Sequence, residues 1–164
     1  MLSLDPDWLE FLCALIDHRV RFLIVGGIAL AVHAEPRFTK DLDVLVEATL
    51  ANGRRLRAAL VEFGFGAVAP DPSELATPGP GWLLGRVPKR IDILTEIDGV
   101  SFRRAWARRV HAQLDEQRRL PIIAREDLLA AKLAAGRPQD LADAAAIQAF
   151  AHDERQTRRK SKKR

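Results

Sequence analysis

The segment GGIALAVHAEPRFTKDLDVLV, residues 26–46, constrains the fold more than any other part of this chain. It follows RFLIV, an apolar run whose β-branched and aromatic residues predict a strand that ends at Gly26 and Gly27. GIALAVHAE then predicts a short buried helix, PRFTK a loop, and DLDVLVE a second strand. This strand–helix–strand order predicts an α/β (α+β) fold, in which helices lie mainly on one face of a small mixed sheet.

Two aspartates open the second predicted strand. Asp41 and Asp43 are two residues apart, so their side chains project to the same face, which Thr39 shares. Carboxylates held this close raise each other's pKa unless a cation neutralises them. Hard oxygen ligands without an accompanying His or Cys favour Mg²⁺ or Mn²⁺ over zinc. The pair therefore predicts a divalent-cation site, although acidic pairs are also common at strand ends.

The two glycines suit a phosphate group. Gly26 and Gly27 precede a helix, whose first backbone N–H groups and positive dipole end attract anions. Without side chains, both residues allow a phosphate to approach closely. The pattern is not a P-loop, because no G-K-[ST] follows, and not a dinucleotide fingerprint, because G-x-G-x-x-G is absent. Close packing of helix against strand is the alternative explanation of the glycine pair.

The rest of the chain continues one domain. At 164 residues, 48% of them apolar, the sequence can bury a single core, predicted for residues 1–151. Two strand pairs are predicted, WLLGRV with RIDILTEI around a tight turn at PK, and VHAQLD with RLPIIA. The proline- and glycine-rich stretch 67–81 predicts an irregular loop. Helices are predicted at 7–19, 49–62, 102–108 and, as a C-terminal portion closing over the cleft, to about residue 151.

A third carboxylate lies in RIDIL. Asp92 shares a strand face with Arg90 and Leu94, while the two isoleucines face the other way. If this strand lies beside the Asp41–Asp43 strand, three carboxylates converge, as two-metal phosphoryl transfer requires. In that case Asp92 is the base or the ligand nearest the nucleophile. The alternatives are that Asp92 pairs with Arg90 or faces solvent.

In this order and spacing, VGG, DLDVLV and RIDIL resemble the motifs of the nucleotidyltransferase superfamily, which has a DNA polymerase beta-like fold. Residues 26–46 are most similar to bacterial nucleotidyltransferases related to the abortive-infection toxins of type IV toxin–antitoxin systems. The stretch REDLLAAKLAAGRPQDLADAAAI resembles their helical motif, so the resemblance covers residues 22–147. It implies transfer of a nucleoside monophosphate from an NTP to a hydroxyl group of an acceptor, which is RNA such as tRNA, a protein or a small molecule. A cognate antitoxin or toxin is an implied partner.

The resemblance also implies residue roles. The candidate metal ligands are Asp41, Asp43 and Asp92, which together with Lys132 are the candidate catalytic residues. The candidate contacts of the triphosphate are Gly26, Gly27, Arg37, Thr39 and Lys132. Lys132 is expected to reach the β or γ phosphate, or else to extend to water from the packed edge of its helix. Gly27 stands where many members have serine, so only backbone donation remains there.

The last twelve residues, DERQTRRKSKKR, carry seven basic and two acidic side chains. A tail over residues 152–164 is therefore predicted to be disordered. It is expected to contact RNA, DNA or an acidic partner, or to serve only solubility. Cys13 is expected to pack as a small hydrophobe. The apolar run 22–34 is too short to cross a bilayer and nothing before it resembles a secretory leader, so a cytoplasmic protein without membrane contact is expected.

Three other functions compete with nucleotidyl transfer. A metal-dependent glycosyltransferase also uses a D-x-D pair, but it needs no glycine-started helix before it. A catalytically silent nucleotidyltransferase-like protein would act as a binding partner or an antitoxin. The third is an interaction domain that has a basic tail and no nucleotide site.

Overall fold

The computed structural model describes residues 4–37, 39–86 and 89–161, and within them the chain forms six strands and seven helices. The strands are β1 (Phe22–Ile24), β2 (Asp41–Val46), β3 (Gly81–Leu84), β4 (Arg90–Leu94), β5 (Val110–Gln113) and β6 (Arg119–Ile122). The helices are α1 (Pro6–Asp17), α2 (Gly26–His33), α3 (Leu50–Glu62), α4 (Pro72–Leu75), α5 (Phe102–Arg108), α6 (Arg125–Ala135) and α7 (Pro138–Ser161). The predicted α/β class is confirmed.

The six strands form one mixed sheet in the order β3-β4-β2-β1-β6-β5. β2 is antiparallel to β1 and parallel to β4, while β1 is parallel to β6. The two outer pairs, β3 with β4 and β5 with β6, are antiparallel hairpins. The predicted strand pairs are thus confirmed, and β4 lies beside β2 as the carboxylate argument required.

Burial along β2 shows where the sheet is open. Leu42 and Val44 are fully buried, whereas Asp41 and Asp43 on the opposite face are only partly buried. Leu45 and Val46 are both buried, although they face opposite sides. Both faces of the sheet are therefore covered at the end of β2, while the face carrying the aspartates is open at its start.

Buried Asn52 fixes the closed end of the sheet. It lies in the first turn of α3, where the Thr49 side chain accepts a hydrogen bond from its backbone N–H. Its side chain accepts from the Arg21 N–H at 2.7 Å and donates to the carbonyls of Arg21 and Glu47 at 2.9 and 3.0 Å. Asn52 therefore ties α3 to the segments that precede β1 and follow β2.

Two local predictions need correction. The stretch 67–81 is not wholly irregular, because it contains α4, which the capping box of Asp71 and Glu74 begins and buried Leu75 anchors. The predicted disordered tail is helical over residues 152–161, since α7 continues to Ser161. Those ten residues contain no Gly or Pro, and Glu154 accepts a hydrogen bond from Arg125 at 2.7 Å. Residues 162–164 of the tail, and Pro88 of the predicted PK turn, lie outside the described residues.

Cys13 lies partly buried against the core as a free thiol, as predicted, and burial raises its pKa. In the described part of the chain, no helix combines the length and the apolar character that crossing a membrane requires.

Candidate active site

A cleft of about 880 Å³ opens on the face of the sheet that carries the aspartates. It lies between the β1–α2 turn, the inner strands β2 and β4, and the α6–α7 junction. All of the predicted site residues line it: Gly26, Gly27, Arg37, Thr39, Asp41, Asp43, Asp92 and Lys132. Lys40 and Arg137 line it as well. His33 lies elsewhere, buried, with its Nε2–H donating to the Ile123 carbonyl at 2.7 Å. The sequence motifs therefore meet in one place.

The glycine turn packs directly on the β2 side chains. Gly26 has a φ of +61°, and a Cβ on it would lie 1.9 Å from Asp43 Oδ2. A Cβ on Gly27 would lie 2.7 Å from Thr39 Oγ1, and that hydroxyl donates to the Asp41 carbonyl at 3.1 Å. Side chains at these two positions would collide with Asp43 and Thr39, so close packing, the alternative explanation of the glycine pair, accounts for both glycines.

The register of the parallel strands brings the three carboxylates together. Asp43 of β2 lies directly opposite Asp92 of β4, and Asp41 lies opposite Arg90. Burial, the largest cause, and the charges of Asp92 and Asp41 raise the pKa of Asp43 to about 6, against the lowering effect of Lys132 and of a backbone hydrogen bond from Gly27. Burial and the charge of Asp41 also raise the pKa of Asp92, although Arg90 opposes them. The cluster is short of positive charge.

Arg90 is the cation nearest to this cluster. Its Nη2 donates to Asp41 Oδ2 at 2.9 Å and to Asp92 Oδ2 at 3.1 Å. Its Nε lies 2.9 Å from Asp92 Oδ1, an ion pair whose angles do not make a hydrogen bond. The carboxylates therefore converge, and Asp92 also pairs with Arg90. The sequence had presented these two arrangements as alternatives, but both occur.

The donor set is of the chemical type that a divalent cation prefers, but its side chains are not arranged around one. It consists of three carboxylates, and Asp41 Oδ1 is a buried oxygen without a hydrogen-bond partner. Among the described residues, no three His, Cys, Asp or Glu side chains are already arranged to hold a metal ion. Arg90 lies between Asp41 and Asp92 in this arrangement, so the fit requires its guanidinium to move.

Lys132 belongs to a separate charge cluster on the opposite wall. Its Nζ lies 2.9 Å from Asp140 Oδ1 and 2.9 Å from Asp143 Oδ2, and its side chain is 12% exposed. It therefore does not extend to water, the alternative considered for it. Its charge reaches Asp43, whose pKa it lowers.

Asp140 and Asp143 are the residues that the sequence analysis did not assign to the site. Arg37 binds Asp143 with two hydrogen bonds of 2.9 Å each, so Arg37 is not a free loop charge. Burial alone would raise the pKa of Asp143, but hydrogen bonds from Arg37, Lys132 and Gln139 hold it well below its usual range. Asp140 and Asp143 are three residues apart in RPQDLAD, which places both on one face of a helix. This spacing is the signal for the pair in the sequence.

A family model described as "Nucleotidyl transferase AbiEii toxin, Type IV TA system" matches residues 10–162 of the chain. A search of curated proteins gave no match.

Proposed function

The chain belongs to the AbiEii family of nucleotidyltransferase toxins of type IV toxin–antitoxin systems, and on this basis we propose that it transfers a nucleoside monophosphate from an NTP to an acceptor hydroxyl with the aid of Mg²⁺ or Mn²⁺. The observation that carries the proposal is the meeting of Asp41, Asp43 and Asp92 beside the turn at Gly26 and Gly27. That arrangement places three carboxylates beside the backbone N–H groups that open α2, where the Gly27 N–H already donates a hydrogen bond to Asp43.

The three carboxylates are the proposed ligands of the divalent ion. When bound, such an ion polarises the phosphate oxygens and lowers the pKa of the attacking hydroxyl. The cleft also needs this added charge, because its lining holds six acidic and five basic side chains before a triphosphate enters. The acidic ones are Asp41, Asp43, Asp92, Glu96, Asp98 and Asp140, and the basic ones are Arg37, Lys40, Arg90, Lys132 and Arg137.

In the proposed reaction, the acceptor oxygen attacks the α-phosphorus, and the bond from that phosphorus to pyrophosphate breaks. The hydroxyl proton passes to the Asp92 carboxylate, which lines the same cleft. The N–H groups at the start of α2 donate to phosphate oxygens, and Thr39 lies beside them. Asp92 is held within β4 and the N–H groups are held at the start of α2, which favours a fixed geometry.

Lys132 is proposed to bind the β or γ phosphate. Asp140 and Asp143 hold its ammonium group at the cleft wall, at 2.9 Å from each. A compact ammonium in a site that is 12% exposed keeps its position without the entropy loss of an unsupported lysine. Arg37 reaches the same cluster through Asp143 and is proposed as an additional phosphate contact.

We propose RNA as the acceptor, bound at the basic end of α7. That helix, Pro138–Ser161, lines the cleft with its first turn, and Arg155, Arg158 and Arg159 are exposed near its other end. At about 1.5 Å per residue, Arg155 lies about 18 Å from Asp143 along the helix axis. A strand of several nucleotides spans that distance, and phosphate contacts with arginines give affinity by counterion release. A cognate antitoxin protein is the second proposed partner.

To test the proposal, the protein is incubated with each α-³²P-labelled NTP in the presence of Mn²⁺ or Mg²⁺. The RNA, protein and small-molecule fractions of a cell lysate are supplied separately as acceptors. Label is expected in the RNA fraction, dependent on the added ion. Asp41→Asn is the catalytic control, and chelation of the ion is the cofactor control. Absence of label from every fraction with all four NTPs would contradict transfer, and label in protein alone would contradict the RNA acceptor.

The Arg90 bridge favours one other candidate, a silent nucleotide-binding protein. A guanidinium that remained between Asp41 and Asp92 would block the divalent ion while leaving the glycine turn open. This candidate predicts that NTP binds in calorimetry equally well with and without Mg²⁺, and that no acceptor is labelled.

A further inference from the structure

We propose that Arg90 is an internal counter-ion of the carboxylate cluster, which a divalent cation must displace, so that Arg90 sets the ion concentration at which the site assembles. The inference rests on the proposed function, because it concerns the same three carboxylates. It adds a residue that acts on the apparent metal affinity without being a metal ligand.

The contacts of Arg90 define the exchange. A single guanidinium nitrogen, Nη2, lies 2.9 Å from Asp41 Oδ2 and 3.1 Å from Asp92 Oδ2. One positive group thus bridges two carboxylates that belong to neighbouring parallel strands. A divalent ion shared by the same two carboxylates needs the space between them, so the ion and the guanidinium exclude each other there.

Arginine can leave this position only by moving. A guanidinium does not lose its charge near neutral pH, and the two partners raise the pKa of Arg90 further. A divalent ion a few ångströms from a fixed guanidinium would be repelled strongly in a partly buried cleft. The side chain is 34% exposed and projects from β4 into the open cleft, which leaves it room to rotate.

The same contacts explain why a positively charged side chain, that of Arg90, lies between Asp41 and Asp92. Three carboxylates without a counter-ion repel one another, and the pKa of Asp43 is already raised with Arg90 in place. Asp41 and Asp92 share the arginine, whereas Asp43, among the described residues, makes no hydrogen bond or ion pair with it. Arg90 therefore holds the two outer ligands in register until the ion arrives.

Calorimetric titration of MnCl₂ into the metal-free full chain tests the proposal on three proteins: the wild type, Arg90→Met and Lys89→Met. Lys89 is the matched control, because it is the neighbouring residue, carries the same charge and pairs instead with Asp5 and Asp7 on the N-terminal segment. Arg90→Met is expected to bind Mn²⁺ about tenfold more tightly than the wild type. Lys89→Met is expected to stay within about twofold.

A second measurement uses the wild type alone and so does not depend on how a variant folds. Magnetic resonance of arginine Nε–H groups follows their hydrogen exchange during titration with MgCl₂. Exchange at Arg90 is expected to accelerate at least about fivefold, because its Nε–H, now buried beside Asp92 Oδ1, becomes exposed to solvent when the side chain moves. Exchange at Arg37, which is bound to Asp143 in the same cleft, is expected to stay unchanged.

Equal or weaker Mn²⁺ binding by Arg90→Met, or unchanged Arg90 exchange at saturating Mg²⁺, would overturn the counter-ion role and leave the proposed function standing. A wild type and an Arg90→Met variant that both fail to bind Mn²⁺ would overturn the metal site itself, and with it both proposals.

Discussion

Two charge clusters face each other across the cleft, and they are built in opposite ways. In the first, Asp140 and Asp143 are surrounded by Lys132, Arg37 and Arg137, and both carboxylates have lowered pKa values. In the second, Asp41, Asp43 and Asp92 share Arg90, and the pKa of Asp43 is raised. The first cluster is electrostatically complete within the chain. The second keeps a carboxylate of raised pKa, and we propose that a divalent cation from outside completes it, as expected of a reactive group rather than a supporting one.

The largest expected effect is on the second cluster. Asp41→Ala is expected to lower nucleotidyl transfer at least about 10²-fold, because one proposed metal ligand is lost. The melting temperature should change by no more than about 2 °C, since a partly exposed carboxylate is removed from a set of like charges. Asp98→Ala, which removes another acidic side chain of the same cleft, is the control and should keep transfer within about threefold. Normal transfer by Asp41→Ala would remove Asp41 from the site.

The first cluster should respond in stability. Asp143→Ala leaves Lys132 with one partner and Arg37 without its bidentate one. We expect the free energy of unfolding to fall by about 3 kcal/mol, the low end for a broken buried ion pair, because Arg37 is 36% exposed. Urea denaturation at pH 7 measures it. A loss below about 0.5 kcal/mol would show that the two clusters do not differ in the way described.

The two clusters also predict opposite pH dependence in metal-free buffer. The folded-state pKa of Asp43, about 6, lies above its ordinary value of 3.8, so the folded chain keeps a proton that the unfolded chain has lost. Its contribution to the free energy of unfolding therefore falls as the pH rises from about 4 to 6, by about 2 kcal/mol. Asp143 has a lowered pKa, so its contribution is present above its ordinary pKa and is lost as the pH falls.

Asp43→Asn isolates the first of these terms. Denaturation midpoints of the variant and the wild type at pH 4 and pH 7 should show that the variant gains stability relative to the wild type at the higher pH. If the stability difference between Asp43→Asn and the wild type were the same at both pH values, the pKa of Asp43 would not be raised in the folded chain.

The smallest expected effect compares two glycines of positive φ. Gly26→Ala and Gly64→Ala both place a side chain at a left-handed backbone position, at a cost of about 1–2 kcal/mol. At Gly64 a Cβ meets nothing within 4 Å, whereas at Gly26 it would lie 1.9 Å from Asp43 Oδ2. Gly26→Ala should therefore destabilise by about 1 kcal/mol more, and it alone should reduce transfer. If Gly26→Ala and Gly64→Ala had equal effects on stability and on transfer, packing of Gly26 against Asp43 would not matter for the site.

The carboxylate convergence was predictable because it depends on local periodicity. Asp41 and Asp43 share a face through the two-residue repeat of a strand, and the order of the motifs limits which strand carries the third carboxylate. The capping box of Asp71 and Glu74 was also present in the sequence as D-P-S-E, but proline and glycine on either side favoured a loop. The helical end of α7 was missed because charge density outweighed the absence of helix-breaking residues.

The first cluster, around Asp140 and Asp143, was harder to predict because its members come from distant parts of the chain. Arg37 and Asp143 are 106 residues apart, and nothing local distinguishes their contact from two separate surface charges. The Arg90 bridge had the opposite difficulty, since its sequence neighbour Asp92 suggested a local pair. Only the parallel register of β2 and β4 adds Asp41 to that pair.

The central claim is that Asp41, Asp43 and Asp92 hold a divalent ion beside the glycine turn. Anomalous diffraction at the manganese edge, from crystals grown with Mn²⁺ and an NTP analogue that cannot be cleaved between the α and β phosphorus atoms, tests it most directly. We expect manganese bound to oxygens of all three carboxylates, the triphosphate on the N–H groups of Gly26 and Gly27, and Arg90 turned away. Manganese elsewhere, with Arg90 still bridging Asp41 and Asp92, would contradict it.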